Sequence, residues 1–412
     1  MINRKKIRFY ALLGLSIFLA YKVINIDRPF SSISYYQSDR RSELLNNTLK
    51  FNNRNPDVYF ELANRSDLLL LSDESEINRL FLNTIKYNPL HVFSLIRLAD
   101  INYEAGNKDL SLELVKRARK FSNFSADRLW ELSFISYKLD QINMFYDCLK
   151  TVTRIDDNRR EHVYVLALKL IENKEDIIKK IISEKAYIHY FRYMFTRLYD
   201  LENSRVIYNF FKENNIEIDQ DTKFQYLDFL ISKGSSNDAE EVWSSMYGTS
   251  DELVWNGGFE DEILNKGLDW KINDDYDYNS ETKTEFETEN PLRGKKSLKI
   301  RFLNKNVDYK NISQIVLVKP QTSYIFSSLV STKNITTTNG IGWEIKCFPK
   351  GDLYLQTDYL TGTNSEKILF SKFVTPKECT SLEINLRRVK SEKFDKFISG
   401  EVEIDDVYMH EV

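Results

Sequence analysis

From about Ser42 to Gly248 apolar residues recur three and four positions apart, with polar breaks every dozen or so residues. That spacing predicts a run of amphipathic helices. Beyond Glu260 the period becomes two. In Ser297-Leu298-Lys299-Ile300-Arg301-Phe302 the apolar Leu298, Ile300 and Phe302 share one face. Further strands are predicted at Ile312–Val318, Tyr324–Thr332, Ile341–Cys347, Ile368–Phe373, Leu382–Arg388 and Glu401–Met409. Turn clusters such as Lys319-Pro320-Gln321-Thr322 and Pro349-Lys350-Gly351-Asp352 separate several of them. Short, regularly punctuated strands of this kind form antiparallel sandwiches and jelly rolls. The expected fold is therefore multidomain, α then β.

Composition places the change of character at Leu253-Val254-Trp255-Asn256-Gly257-Gly258-Phe259-Glu260, which reads as a first strand entering a tight turn. Nine of the thirteen glycines and four of the seven prolines lie beyond Leu253, so turns concentrate there. The expected division is residues 1–28 as a basic tail with a membrane anchor or signal, 42–249 as helical repeats, and 250–412 as the sandwich. At the start, Arg4, Lys5, Lys6 and Arg8 precede an apolar run from Phe9 to Tyr21, which Val23, Ile24 and Ile26 extend. An N-terminal membrane helix with its basic end in the cytoplasm is the expectation, a cleaved signal peptide the alternative. This predicts a single-pass membrane protein with most of the chain exported to a compartment outside the cytoplasm. In such a compartment Cys347 and Cys379 can form a disulfide worth about 3–4 kcal/mol in the chain-entropy picture, the alternative being two buried thiols. Cys148, on a helical pattern, reads as a small core residue.

Two stretches of the helical region align at a 34-residue offset: Leu95, Leu98, Ala99, Gly106, Val115 and Ala118 recur as Leu129, Leu132, Ser133, Asp140, Leu149 and Val152. Tyr226, Leu227, Gly234, Ala239 and Trp243 fit the same template. The pattern resembles the tetratricopeptide repeat and implies an α-solenoid whose concave face takes a protein partner. A plain helical spacer is the other reading. Between 160 and 219 the pattern weakens, and the aromatic run Tyr187–Phe195 reads as packing rather than a cofactor site.

In the β region Asn256-Gly257-Gly258-Phe259-Glu260, Leu268-Asp269-Trp270, Gly294-Lys295-Lys296-Ser297-Leu298, Gln314, Tyr324 and Ile404-Asp405-Asp406-Val407 form an ordered series. The series resembles carbohydrate-binding modules with the galactose-binding-like jelly roll, including those that follow tetratricopeptide repeats in membrane-anchored proteins of bacterial exopolysaccharide systems, and the resemblance implies a single-pass place in the bacterial inner membrane with most of the chain periplasmic. The resemblance implies a structural Ca²⁺ where the first and last strands meet, with Glu260 and Asp405 as its side-chain ligands. Alternatively, Glu260 bonds turn amides and Asp405 pairs with a base.

Sugar binding needs an aromatic face for the pyranose C–H surface and polar groups for its hydroxyls. Trp343 shares a face with Ile341, Ile345 and Cys347 and reads as core, as does Trp270. The opposite face offers Glu344, Asn385 and Arg387, which with Tyr354 or Tyr309 form a candidate shallow groove. The same residues also suit an ordinary solvated face. Four scattered histidines, no phosphate loop and no nucleophile elbow leave no catalytic constellation. A net charge of −3 with interspersed signs gives no nucleic-acid footprint. The expectation is a non-catalytic, membrane-anchored scaffold that binds or organises a cell-surface polysaccharide or its assembly machinery. The alternatives are a protein-interaction adaptor and, third, a secreted glycan hydrolase.

Overall fold

The computed structural model describes residues 38–68, 73–273, 281–350 and 352–412. Helices occupy the chain to Tyr247 and antiparallel strands follow from Lys271. By compactness the chain divides into two units between Tyr190 and Phe191.

In the first unit helices pair along the chain: Pro56–Leu68 with Glu74–Tyr87, Val92–Glu104 with Lys108–Lys120, and Ala126–Lys138 with Ile142–Ile155. Local chemistry starts them: the Asp73 carboxylate accepts from the Glu76 amide at 2.8 Å, and Ser125 caps Ala126–Lys138 in the same manner. Equivalent positions do equivalent work. Leu95, Ala99, Val115, Ala118, Leu129, Ser133, Leu149 and Val152 are all fully buried. The turn positions Gly106 (φ 83°) and Asp140 (φ 56°) are both left-handed, a conformation that costs glycine least and aspartate little. Small Ala99 lets the facing helix close in until the Ser111 hydroxyl donates to its carbonyl at 2.7 Å. Cys148 is buried in the helix Ile142–Ile155, and burial pushes its thiol up to about 12. Around the helix Arg160–Leu170, and from Lys174 to Arg197, the chain forms short 3₁₀, α and π turns, where the repeat pattern is also weakest.

The helices of the described residues are too short for a bilayer. At 13–14 residues the paired helices are about 20 Å long against a hydrocarbon core of about 30 Å. None among the described residues is long and apolar enough to cross a membrane. The single-pass inner-membrane placement is corrected on that finding; residues 1–28, which prompted it, lie outside the described residues.

The second unit joins helices Leu201–Glu213, Gln220–Ser232 and Ser236–Tyr247 to a jelly-roll-like sandwich. Its strands are β1 (Lys271–Ile272), β2 (Thr282–Glu287), β3 (Ser297–Lys305), β4 (Tyr309–Leu317), β5 (Ser323–Ile335), β6 (Gly342–Phe348), β7 (Tyr354–Gln356), β8 (Gly362–Val374), β9 (Ser381–Arg388) and β10 (Ile398–Glu411). Sheet A runs β1-β4-β9-β6-β7 and sheet B runs β2-β3-β10-β5-β8. Alternation sends Leu298, Ile300 and Phe302 of β3, and Leu382, Ile384 and Leu386 of β9, into one shared core. Phe259, Trp270, Trp343 and Phe326 form a chain of rings through it, with centroids 5.1, 5.9 and 5.6 Å apart. The Cys347–Cys379 disulfide is present, with Cα atoms 5.5 Å apart. The helices meet the sandwich through Trp243, whose ring stands edge-on to Trp255 at 5.2 Å, and through the Lys266–Asp221 ion pair at 3.0 Å.

Leu253–Glu260 is not a strand. Asn256 (φ 49°) and Phe259 (φ 56°) are left-handed, so this stretch cannot join a ladder. Instead the Gln314 side chain takes the place of a neighbouring strand: its amide donates to the Trp255 carbonyl at 2.8 Å and its oxygen accepts from the Trp255 amide at 3.1 Å.

Candidate functional site

β9 lies at the centre of sheet A, so its outward residues Glu383, Asn385 and Arg387 form the spine of that sheet's outer face. Register sets their neighbours. Asn385 stands between Ser313 of β4 and Glu344 of β6, with Lys271 and Gln356 completing the row. Glu383 stands between Ile315 and Lys346, and Lys346 faces Tyr354. Asn273, Lys310 and Asn311 close one side, and the resulting groove has a volume of about 620 Å³.

The charges in this groove cancel locally. Lys346 pairs with Glu383 at 2.8 Å, and Arg387 with Asp308 at 2.8 Å and Glu344 at 3.6 Å. Burial raises the Asp308 carboxyl, but the Arg387 hydrogen bond and charge outweigh it and hold the group below its ordinary value. Tyr354 Oη donates to Glu344 Oε2 at 2.8 Å and accepts from Gln356 Nε2 at 2.6 Å. These contacts fix the carboxylate while the Tyr354 ring stays 58% exposed. Asn385, by contrast, is only 7% exposed, and its side-chain amide makes no hydrogen bond among the described residues. The Tyr359 hydroxyl is likewise buried without a partner among them. Its pKa is raised first by burial and then by Tyr354 and Glu344. The Asn385 amide lines the groove and is not among the fully buried polar atoms, so it is open to a bound hydroxyl, a bond worth about 0.5–1.5 kcal/mol.

Glu344, Tyr354, Asn385 and Arg387 are thus brought together. Tyr309 is not, and this expectation is corrected. By simple alternation Tyr309 shares the outward face of Asn311 and Ser313. An irregularity in the pairing between Tyr309 and Ile312 reverses its side, and the ring is fully buried against Phe302 at 5.4 Å. Ser313, Asn311 and Asn273 line the groove without having been singled out from sequence. The alternation of β4 would have found the first two.

At the other candidate site the turn after Trp255 is clamped to the last strand: the Val407 amide donates to the Gly257 carbonyl at 2.9 Å. Glu260 and Asp405 meet there. Glu260 Oε1 accepts from the Lys295 amide at 2.7 Å, against Gly294, where an added Cβ would sit 1.8 Å from that oxygen. Asp405 Oδ2 accepts from the Arg293 amide and Oδ1 from the Asp406 amide, both at 2.8 Å. Burial, with Asp406 and Glu260 adding their charges, nevertheless pushes the Asp405 carboxyl up to about 6. Two neighbouring carboxylates with too little positive charge form a donor set that suits a hard cation. Among the described residues no group of three or more His, Cys, Asp or Glu is arranged to hold a metal, so backbone carbonyls would have to complete a shell.

No family model matches the chain, and no curated protein matches it. Solved structures do match. A family 4 carbohydrate-binding module is similar at 15% identity and TM-score 0.29, over 39% of this chain and 99% of its own. A family 61 module in complex with β-1,4-galactotriose is similar at 14% identity and TM-score 0.27, over 40% and 100%. A family 22 xylan-binding domain from Paenibacillus barcinonensis is similar at 12% identity and TM-score 0.25, over 38% and 92%. These likenesses are weak and cover the β part of the chain.

Proposed function

We propose that the sandwich holds a neutral glycan chain in the groove across sheet A and performs no chemistry on it. The observation that carries this reading is the groove's set of fixed polar groups: ionic partners cancel one another, while the Asn385 amide on its floor has no protein partner. A surface neutralised in this way offers little to a phosphate backbone and suits a ligand rich in hydroxyls, with the Tyr354 ring beside the groove as an apolar face. Glu260 and Asp405 are assigned to a structural Ca²⁺ that ties the Gly257 turn to β10, and the paired helices of the first unit to a tetratricopeptide-like surface for a protein partner.

Affinity electrophoresis of the full chain, in gels cast with a panel of neutral polysaccharides, tests the glycan. At least one polymer should retard the wild type. Lack of retardation by every polymer would sink the reading, and turnover of any of them would revive the hydrolase. The adaptor reading draws support from the scarcity of exposed rings in the groove, where Tyr354 stands nearly alone. It predicts no retardation at all.

A further inference from the structure

We propose that the free edge of β8 pairs with the same edge of a second copy of this chain, antiparallel and centred on Leu369. The two sheets B then become one continuous sheet. β8 ends sheet B, and among the described residues nothing pairs with its outer edge. Folded proteins usually blunt such an edge by keeping it short, bulged or charged. β8 carries charges at Glu366, Lys367 and Lys372 and its pairing shifts between Lys367 and Asn364, yet it is 13 residues long, and its register on β5 is unbroken from Ser323↔Val374 to Val330↔Lys367. In mid-strand it presents Ile368 and Phe370 to solvent, 68% and 69% exposed.

The pattern around them is self-complementary. The outward residues read Glu366, Ile368, Phe370, Lys372. A two-fold axis at Leu369 sets each Glu366 opposite Lys372 of the second copy and each Ile368 opposite Phe370. These four positions then each find an opposite charge or an apolar partner across the strands, while the exposed Val374 falls opposite Asn364 at the shifted end of β8. Other arrangements lose this match. Parallel pairing in register opposes glutamate to glutamate and lysine to lysine. An antiparallel shift of two residues sets a charged side chain against an apolar one at each end. Glu366 already bonds Arg293 at 2.9 Å, but both side chains are about half exposed, and the carboxylate has a second oxygen to offer.

Sedimentation velocity of the full chain at rising concentration tests this. The wild type should shift from monomer to dimer, while Phe370→Lys and Glu366→Lys should each stay monomeric where the wild type has dimerised. Combining Glu366→Lys with Lys372→Glu should bring the dimer back, because each pair is opposite in charge again. These positions are exposed, so thermal unfolding of the variants should match the wild type. Should Phe370→Lys not fold, the two charge variants carry the test. A wild type that is monomeric at every concentration, a dimer indifferent to Glu366→Lys, or a double reversal that stays apart overturns the proposal.

Discussion

The two outer faces of the sandwich obey the same alternation and present opposite surfaces. On sheet A the outward positions of β6 and β9 are Glu344, Lys346, Glu383, Asn385 and Arg387, tied to one another across strands. On sheet B, β3 carries a similar lattice, with Arg301 bonded to Glu285 and Glu401 and Lys299 to Glu287. In the middle of β8, however, that sheet exposes the apolar Ile368 and Phe370. Strand pattern thus decides only which residues face outward; what a face is for depends on how its outward groups satisfy one another. On sheet B the lattice is saturated and the middle of β8 presents Ile368 and Phe370 instead. On sheet A the lattice leaves one amide, Asn385, unmatched and open to the groove.

The comparison can be broken first from inside. Trp343→Ala empties the centre of the ring chain behind the groove and should cost about 3–5 kcal/mol, read as a fall in the denaturant midpoint. Replacing both Cys347 and Cys379 by alanine should cost about 2–4 kcal/mol in the same measurement. A wild type whose midpoint is unchanged by a reductant would argue against that contribution. Smaller still is the calcium effect: a chelator should lower the thermal midpoint of the wild type and leave Asp405→Asn unmoved. An unmoved wild type would remove the cation from the account. Smallest is the sheet B lattice, where Arg301→Ala should change stability by about 0–1 kcal/mol, as exposed ion pairs do, and leave glycan retention untouched.

Much of this was legible in the sequence wherever a long alternating run met a buried face. β3, β4, β5, β6, β8, β9 and β10 fall on their expected segments, and the Cys347–Cys379 bridge joins the residues expected. The missing strands are β1, β2 and β7. Two of them are only two and three residues long, and β2 (Thr-Lys-Thr-Glu-Phe-Glu) is an edge strand whose buried face is made of threonines. A hydrophobic period cannot register where the inward residues are themselves polar. Tyr309 was misplaced for a different reason. The irregularity before Ile312 depends on how β4 pairs with β9, and nothing local to Tyr309 encodes it. The Leu253–Glu260 turn was misread because its apolar residues are buried as a strand's would be, while its hydrogen bonds go to the Gln314 side chain, 59 positions away. The 34-residue offset found the buried positions of the helical region, since small and large residues recur there whichever way successive pairs are stacked.

The groove across sheet A is tested most directly at Asn385, in gels containing whichever neutral polysaccharide retards the wild type. Asn385→Ala should fold with nearly wild-type stability and lose affinity by about 10- to 100-fold, the worth of one or two hydrogen bonds from an amide on the groove floor. A variant retarded as strongly as the wild type would contradict the account.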